Sequence, residues 1–513
     1  MAGEILSGRM LTSDVDRTCD VCVVGSGAGG AVMAAGLAEA GLDVVLLEEG
    51  GYHTKADFTG DEATAFPMLY QEGGTRSTDD LAITILQGRS VGGGTTINWT
   101  TCFRTPDRIL SVWADRFGLD NCTPDALRPH FEAVEARLNI HPWTMPPNGT
   151  NGALARGCEA LGWEHAVLKR NVKGCANSGY CGMGCPVDGK QAMAVTYIAD
   201  GVKAGLTVYA DTRAMRVEMD GRQAKAVHAE VLVRGQPHVS TGVRVTIRPR
   251  VVVCSGGAIN GPALLLRSGL DVGGKVGKRT FLHPAIAVVG VYEQAINGWY
   301  GAPQSISSHE HIDRGPDRVG YFLEGGPMHP MLAASSSRLV GHEANAFLGR
   351  AAHTAPLIAI AVDGLVPGDD GGTVSLRSDG RIRVAYPVGP HLIESFRSSH
   401  AALARVHLAA GSTEVGTMHP LPAVMRTEAD LAQLNGLTYG AHEHAIFTAH
   451  QMGGCPMGTD PQHAVVDPEL RLHGTDNIFV ADGSVLPTAL GVNPSETIYA
   501  LAHRARGWVA DAV

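Results

Sequence analysis

The sequence predicts an α/β protein built on a parallel sheet flanked by helices, together with a second domain. Three observations support this fold class. An apolar run, a glycine-rich turn and an alanine-rich stretch follow one another near the N-terminus, a second glycine cluster lies near residue 90, and strand-length apolar runs recur near residues 251 and 478. At 513 residues, the chain can bury a large core and form two domains.

The segment from residue 21 to residue 47 predicts a βαβ unit. Residues 21–24 are a short apolar run, residues 31–40 are rich in alanine and other helix-forming residues, and residues 42–47 are a second apolar run. A strand, helix and strand joined by a glycine-rich first turn are typical of the Rossmann fold, which binds dinucleotides.

The turn itself has the spacing G-x-G-x-x-G. Gly25 permits a tight turn, Gly27 lets the backbone approach a pyrophosphate, and Gly30 lets the helix pack closely on the strand. The helix N-terminus offers free N–H groups and a partial positive charge to the phosphates. Glu48 is predicted to bind the ribose hydroxyls, with Glu49 as the alternative, and the motif does not distinguish FAD from NAD.

Residues 88–99 form the second glycine cluster, in which three adjacent glycines precede two threonines. Leu86, Val91, Ile97 and Trp99 frame or interrupt the cluster. This apolar context favours a buried loop beside a flat or anionic ligand over a surface turn.

Five segments, in order along the chain, resemble the motifs of the glucose–methanol–choline (GMC) oxidoreductases, which oxidise alcohols with FAD. The segments are residues 88–98, 255–269, 277–284, 450–454 and 491–494. The resemblance implies an FAD-binding domain over about 15–110, 195–290 and 440–513, with a connecting lid over 111–194. It also implies an α+β substrate-binding domain over 291–440, an antiparallel sheet covered by helices.

The resemblance further implies a set of FAD contacts. The predicted contacts are Gly25, Gly27, Gly30, Glu48, Gly92, Gly93, Thr95, Asn98, Val217, Asp482, Gly483, Asn493 and Pro494. Some members of the family attach the flavin to a histidine in the first motif. Ile97 occupies the matching position, so we expect FAD to be bound non-covalently.

His450 and Asn493 are the predicted catalytic residues. Alcohol oxidation removes a hydroxyl proton and transfers a hydride to flavin N5, so the enzyme must offer a base or a hydrogen bond that strengthens as charge develops. Histidine titrates near neutrality, and the asparagine amide is a donor that does not titrate. His450 precedes a Gly-Gly turn, and Asn493 precedes Pro494, which opens a predicted helix through residue 502.

Glu324 is a further candidate for the substrate site. It lies between an apolar run and two glycines, a context that raises the pKa of a carboxyl group through desolvation. The alternative is an ordinary solvated or ion-paired glutamate.

The motifs resemble the cholesterol-oxidase and long-chain-alcohol-oxidase branches more than the choline or glucose branches. The expected substrate is therefore a small-molecule alcohol that is uncharged and largely apolar. The apolar residues 356–362 support this expectation, although a strand without ligand contacts explains them equally well. The electron acceptor is oxygen or a redox partner, and the sequence does not decide between an oxidase and a dehydrogenase.

Cys175, Cys181 and Cys185 lie in a stretch rich in glycine, serine and asparagine. Three thiolates suffice for a [3Fe-4S] cluster, and some flavin dehydrogenases of this family carry one. The usual iron–sulfur spacings are absent, and zinc lacks a nearby fourth ligand, so free thiols or a disulfide are favoured and no metal is predicted.

Composition excludes other classes of function. A net charge of −10 gives no basis for binding nucleic acid, and no stretch of about 18 apolar residues predicts a transmembrane span. Residues 1–18 lack the apolar segment of a targeting signal, and ten cysteines are dispersed over a long chain. The expected location is the cytoplasm.

Two other functions remain open. One is a flavoprotein of the same fold with lyase or isomerase activity and no net redox change. The other is a sugar or aryl-alcohol dehydrogenase with an acceptor other than oxygen. A non-enzymatic flavin-binding protein is disfavoured, because both His450 and Asn493 are present.

Overall fold

The structure is a computed structural model that describes residues 3–513. Eleven α-helices lie in this range: α1 (Ala28–Glu39), α2 (Glu62–Leu69), α3 (Asp107–Phe117), α4 (Pro124–Leu138), α5 (Gly149–Leu161), α6 (Tyr197–Lys203), α7 (Gly257–Arg267), α8 (Pro330–Ser336), α9 (Gly341–Gly349), α10 (Pro390–Ala409) and α11 (Ser495–Asp511).

The same range contains twenty-four β-strands. They are β1 (Glu4–Leu6), β2 (Val15–Val24), β3 (Val44–Leu47), β4 (Ile83–Ile85), β5 (Thr101–Cys102), β6 (Ile140–Pro142), β7 (Ala166–Val167), β8 (Lys169–Asn171), β9 (Thr207–Tyr209), β10 (Thr212–Asp220), β11 (Gln223–Val233), β12 (Gln236–Cys254), β13 (Lys278–Phe281), β14 (Ala285–Val291), β15 (Ile306–Ser308), β16 (Tyr321–Gly325), β17 (Thr354–Ala361), β18 (Gly372–Leu376), β19 (Ile382–Ala385), β20 (Glu414–Thr417), β21 (Val424–Met425), β22 (Ile446–Thr448), β23 (Met452–Gly453) and β24 (Ile478–Val480).

The first large sheet contains the predicted βαβ unit. Its strands β1, β9, β3, β2, β12 and β24 pair in parallel, and β11 and β10 extend it in antiparallel fashion. β2 lies between β3 and β12, so that Val21 pairs with Val44 on one side and with Val251 on the other. Because the exposed fraction of Val21 and of residues 31–35 in α1 is zero, the unit forms the centre of a Rossmann-like domain, as predicted.

Most predicted elements of this domain are present with shifted ends. The helix expected over 31–40 begins earlier, at Ala28, and the strand expected over 42–47 begins later, at Val44. The apolar run 251–254 is the last part of the long strand β12. The first part of β12 pairs with β11 and is largely exposed. Its sequence is therefore not a continuous apolar run, and a search for such runs does not find this part of the strand.

The second large sheet has nine strands and forms the centre of the second domain. Its main path is β21, β20, β14, β17, β16, β15 and β7, with antiparallel pairing throughout. β22 joins β14, and β4 pairs with β22 in parallel. The helices α5 and α10 pack on this sheet, which gives the antiparallel sheet covered by helices that the resemblance implied.

Four strands of the second sheet come from segments that the resemblance assigned elsewhere, and one of them, β7, comes from the segment 111–194 expected to form a lid. β4, β14 and β22 belong to the second sheet, although their residues fell within the segments 15–110, 195–290 and 440–513 assigned to the FAD-binding domain. The expected domain boundary near residue 290 was taken from the motifs, which do not report strand pairing. In the structure, the chain enters the second sheet with β14, which begins at Ala285. Within residues 3–513, no helix combines the length and hydropathy needed to cross a bilayer.

Candidate active site

A single cavity of about 1250 Å³ runs between the two sheets. Gly25, Gly27 and Glu48 line one end, and His450 and Asn493 line another part. The cavity therefore joins the predicted nucleotide-binding turn to the predicted catalytic pair, which are more than 400 residues apart in sequence.

The glycine-rich turn has the geometry of an anion-binding site. Gly25 adopts a φ of 101°, and Gly27 is the N-cap of α1. A Cβ atom at Gly27 would meet only the Cα of Gly93, at 3.9 Å, so the space beside it is open to a ligand. At Gly30 the same atom would lie 1.9 Å from the carbonyl oxygen of Gly25, so Gly30 serves the packing of helix on strand.

Glu48 lies at the end of β3 and faces the cavity. Its carboxylate accepts hydrogen bonds from the backbone N and the Oγ of Ser26, at 3.0 and 2.6 Å, and from the backbone N of Gly50 at 2.8 Å. Burial raises the pKa of Glu48 to about 7, and these hydrogen bonds oppose the shift. Glu49, the alternative, is paired with Arg213 at 3.1 Å, which leaves Glu48 as the more available acceptor.

The second glycine cluster packs directly on the first turn. The N–H of Gly92 donates to Ser26 Oγ at 2.9 Å, and a Cβ at Gly93 would lie 2.7 Å from the Cα of Gly27. Gly93, Thr95 and Asn98 line the cavity, whereas Gly92 does not. Asn98 Oδ1 is buried and has no hydrogen-bond partner among the described residues.

The C-terminal segment closes the same cavity from the opposite side. Asp482 accepts from the backbone N of Ser484 at 2.8 Å and from the backbone N of Gly257 at 2.7 Å, so it ties two motifs together. Gly483 and Pro494 line the cavity, and α11 begins at Ser495, directly after Pro494.

Like Gly30 and Gly92, the predicted FAD contact Val217 does not line the cavity. Its backbone N–H donates to Ser268 Oγ at 2.8 Å, and its side chain is buried in the core. The residues of the same strand that line the cavity are 212–215, at its beginning.

The predicted catalytic residues form one cluster with Glu324. His450 Nε2 lies 3.3 Å from Asn493 Nδ2, and Asn493 Nδ2 donates to Glu324 Oε2 at 3.5 Å. The ring of His450 lies deep inside the protein and is partly exposed to the cavity, and this enclosure lowers its pKa to about 4.

Glu324 lies on β16 and is completely buried. It accepts a hydrogen bond from Gln304 Nε2 at 2.5 Å, and Gln304 Oε1 in turn accepts from Thr101 Oγ1 at 2.7 Å. Burial raises the pKa of Glu324 to about 8, although the bonds from Asn493 and Gln304 oppose this. The surroundings are those of a buried carboxyl group rather than of a solvated or ion-paired one.

Two site residues have no counterpart in the predicted set. Gln304 lines the cavity and holds Glu324. His283 lines it as well, and its Nδ1 lies 3.3 Å from Nδ1 of His450. The His-Pro pair at 283 and 284 is part of a recognised motif, but only the folded chain brings it to His450, 167 positions away.

The wall of the cavity near the catalytic cluster is apolar. Ala285 from β14, Ile358 and Ile360 from β17 and Phe447 from β22 line it. The apolar stretch 356–362 is therefore both a strand and a part of the cavity wall.

The sequence comparisons agree on one family. Residues 66–285 and 367–502 match the N-terminal and C-terminal models of the GMC oxidoreductases, and residues 20–72 match an FAD binding domain. An uncharacterized GMC-type oxidoreductase of Mycobacterium tuberculosis (strain ATCC 25618 / H37Rv) is 33% identical over 489 residues, which cover 94% of this chain and 74% of the relative.

The chain belongs to the GMC oxidoreductase family. It is an oxidoreductase acting on CH–OH groups. A long-chain-alcohol oxidase of Arabidopsis thaliana is 30% identical to it over 515 residues, covering 96% of this chain and 68% of the relative. The crystal structure of pyridoxine 4-oxidase from Mesorbium loti has the same fold, with a TM-score of 0.70 and 20% identity over 96% of this chain and 99% of that one.

The residues of this GMC oxidoreductase fit FAD. The open space at Gly27, the carboxylate of Glu48 and the unpartnered oxygen of Asn98 provide an anion site, a ribose acceptor and a polar contact along one cavity. The N-terminus of α11 adds unbonded N–H groups beside the catalytic pair.

The three cysteines of the lid region lie apart from this cavity. Cys175, Cys181 and Cys185 line a second, small pocket together with Arg170 and Lys190. All three are free, and among residues 3–513 no group of three or more potential ligands is arranged to hold a metal ion.

Lys190 connects this pocket to the second glycine cluster. Its Nζ donates to the carbonyl oxygens of Thr96, Asn98 and Cys181, at 2.8, 2.7 and 2.6 Å. The lid thereby supports the second glycine cluster from outside.

Proposed function

We propose that this GMC oxidoreductase uses non-covalently bound FAD to oxidise an uncharged, largely apolar alcohol to an aldehyde or ketone. The observation that carries the proposal is the position of His450, Asn493 and Glu324. His450 and Asn493 line an apolar part of the same cavity that begins at the dinucleotide-binding turn, and Glu324 lies behind Asn493.

The cofactor-binding residues follow from this geometry. Gly25 and Gly27 would hold the pyrophosphate, Glu48 the ribose, and Asp482 and Gly483 the ribityl end, while Pro494 and the start of α11 would face the flavin ring. When bound, FAD supplies the acceptor for the hydride at its N5 atom.

Non-covalent binding is supported by the lining of the cavity. Within the described residues, the lining includes Ile97 and contains no cysteine. Its histidines are His238, His283 and His450, and the last two are engaged with each other. No histidine lies in the segment that resembles the attachment motif.

The remaining chemistry belongs to the catalytic cluster. The hydroxyl oxygen of the alcohol would lie beside His450 Nε2 and Asn493 Nδ2, which orient it and stabilise negative charge as the proton leaves. The alcohol carbon then loses its hydride, and the carbonyl product forms. His450 is either the base or a hydrogen-bond partner in this step, and Glu324 is the other nearby group that can accept a proton.

The proposed substrate class depends on the apolar wall formed by Ala285, Ile358, Ile360 and Phe447. A charged headgroup would meet no exposed counter-charge on these four side chains. One relative is named as a long-chain-alcohol oxidase, which supports the same class. We also propose a cytoplasmic location, because all ten cysteines are free.

A homologous series of primary alcohols tests the substrate class. Each buried CH₂ contributes about 0.8 kcal/mol, or roughly fourfold in affinity. We expect kcat/KM to rise several-fold per carbon until the cavity is full, with oxygen or an artificial dye as the acceptor. A flat series, or a preference for choline or glucose, would contradict the substrate class but not the flavin chemistry. Comparing the two acceptors decides between an oxidase and a dehydrogenase.

A further inference from the structure

His283 contacts the catalytic histidine on the side that faces away from Asn493. Its exposed fraction is 1%, and its ring lies edge-on to that of His450, with centroids 5.5 Å apart. Each ring nitrogen of His283 has one partner: Nδ1 lies 3.3 Å from His450 Nδ1, and Nε2 lies 3.2 Å from the backbone N of Gly491.

These contacts determine where the protons are. The backbone N–H of Gly491 can only donate, so His283 Nε2 must accept. A neutral imidazole carries one N–H, which in His283 is therefore on Nδ1 and is donated to His450 Nδ1. Because His450 Nδ1 accepts this bond, the proton of neutral His450 must be on Nε2.

The same contacts keep both rings neutral. Protonation of His450 would place two N–H groups against each other across 3.3 Å, and protonation of His283 would oppose the N–H of Gly491. Burial lowers the pKa of His283 well below its usual value, and His450 and Arg108 lower it further. Three other titratable groups lie around the pair. They are Glu324, beside Asn493, Asp363, which accepts from the backbone N of His283, and His309, which stacks on Phe322 next to His283.

The backbone of His283 is held in an unusual conformation. Its φ is 44°, in the left-handed region that non-glycine residues rarely adopt. The carboxylate of Asp363 accepts from the backbone N of Leu282 at 2.8 Å and from that of His283 at 3.0 Å, and the hydroxyl of Tyr386 donates to the same carboxylate. The surrounding structure thus fixes the position of the ring.

We propose that His283 is a positioning residue that fixes His450 as the neutral tautomer with its proton on Nε2. The nitrogen atoms His450 Nε2 and Asn493 Nδ2 then lie 3.3 Å apart, and both are donors, so neither accepts from the other. One amide hydrogen of Asn493 is donated to Glu324, and the second is available, with His450 Nε2–H, to one substrate oxygen. This pair is a two-donor site for the developing alkoxide. His450 is therefore a hydrogen-bond donor and not the base. The hydroxyl proton goes to Glu324, the carboxylate that contacts Asn493 and lies behind the cavity wall rather than in it.

This inference rests on the proposed function, but its first test is independent of activity. Holoenzyme labelled with ¹⁵N-histidine is examined by solid-state NMR, and His450 is identified by the signals lost in His450→Gln. We expect an unprotonated Nδ1 and a protonated Nε2 at pH 7. A protonated Nδ1, in either a neutral or a charged ring, would overturn the proposal.

The second test compares His283→Asn with His283→Leu, two side chains of similar size. The Asn side-chain amide retains a donor near the Nδ1 position and tolerates a positive φ, whereas Leu provides no donor. We expect anaerobic flavin reduction by 1-decanol to be about 10-fold slower in His283→Leu, with KM little changed, and within about threefold of wild type in His283→Asn. FAD content and Tm, measured for both variants, show whether each has folded.

Equal rates in the two folded variants, whether normal or reduced, would contradict a donor role for His283. If His283→Leu does not fold, the NMR result still decides the question. Failure of any alcohol to reduce the wild-type flavin would refute the proposed function, while the tautomer of His450 would remain as measured.

Discussion

At the residue scale, we expect catalysis to depend on His450, because its ring is the imidazole placed between Asn493 and His283 at the cavity wall. His450→Ala should slow flavin reduction by about 10² to 10⁴ and leave FAD bound, since the change removes a group that acts on the reacting hydroxyl. Asn493→Ala should act in the same direction but more weakly. Stopped-flow absorbance of the flavin measures both.

His391→Ala is the matched control for this pair of variants, because His391 is exposed at the start of α10. It should reduce at the wild-type rate. Normal reduction in His450→Ala would remove that residue from the mechanism.

A second residue-scale prediction concerns Glu324. Burial raises the pKa of its carboxyl to about 8, so the group is mostly protonated below that pH and cannot accept the hydroxyl proton. The rate of flavin reduction should therefore rise as the pH increases through about 8. In Glu324→Gln the rate should be low, and this rise should disappear.

Glu343→Gln, at an exposed position on α9, provides the comparison. It should keep the wild-type pH profile. A Glu324→Gln enzyme with an unchanged profile would show that another group takes the proton.

At the scale of the element, the glycine-rich turn must leave room for the pyrophosphate. In Gly27→Val, the added Cβ meets only the Cα of Gly93 at 3.9 Å, but the branched side chain extends into the ligand space. We expect a folded protein without FAD, as measured by flavin absorbance per chain together with circular dichroism. Gly507→Val, on α11 with no atom within 4 Å of the new Cβ, should retain the flavin.

Full flavin occupancy in Gly27→Val would place the dinucleotide elsewhere. A protein that fails to fold is instead the expected result for Gly30→Val, whose Cβ would lie 1.9 Å from the carbonyl oxygen of Gly25. Within one motif, Gly27 is therefore expected to serve ligand binding, and Gly30 is expected to serve the packing of helix on strand.

Sequence reasoning was most successful for elements whose signal is local. The strand ending at Val24, the turn at Gly25 and the helix after it follow from an apolar run, positive φ at glycine and helix propensity, all within about 30 residues. Strand β12 was only partly predicted, because its first part is exposed and polar and gains its structure from pairing with β11.

Candidate site residues could be predicted from the sequence where they lie in a motif. Contacts between residues that are distant in sequence and meet only in the folded chain could not be predicted. Glu324 was a candidate because its neighbours are apolar, yet its bond to Asn493 joins positions 169 residues apart. His283 and Gln304 carry no local signal for their contacts, which depend on how the two sheets face each other.

At the scale of the whole molecule, we expect the cavity between the two sheets to hold FAD without a covalent bond. With Ile97 at the position of the expected attachment and no cysteine in the described lining, acid precipitation should release the yellow flavin into the supernatant. Absorbance at the flavin maximum in the pellet and supernatant measures this. Colour that stays with the precipitated chain would indicate a covalent link.

The most direct test of the central claim is an anaerobic titration of the holoenzyme with a primary alcohol such as 1-decanol. The arrangement of His450, Asn493 and Glu324 beside an FAD-binding cavity predicts that the flavin absorbance bleaches as alcohol is added. One aldehyde should form for each flavin reduced. An alcohol that is consumed while the flavin stays oxidised would indicate a lyase or isomerase, and it would contradict the proposed oxidation.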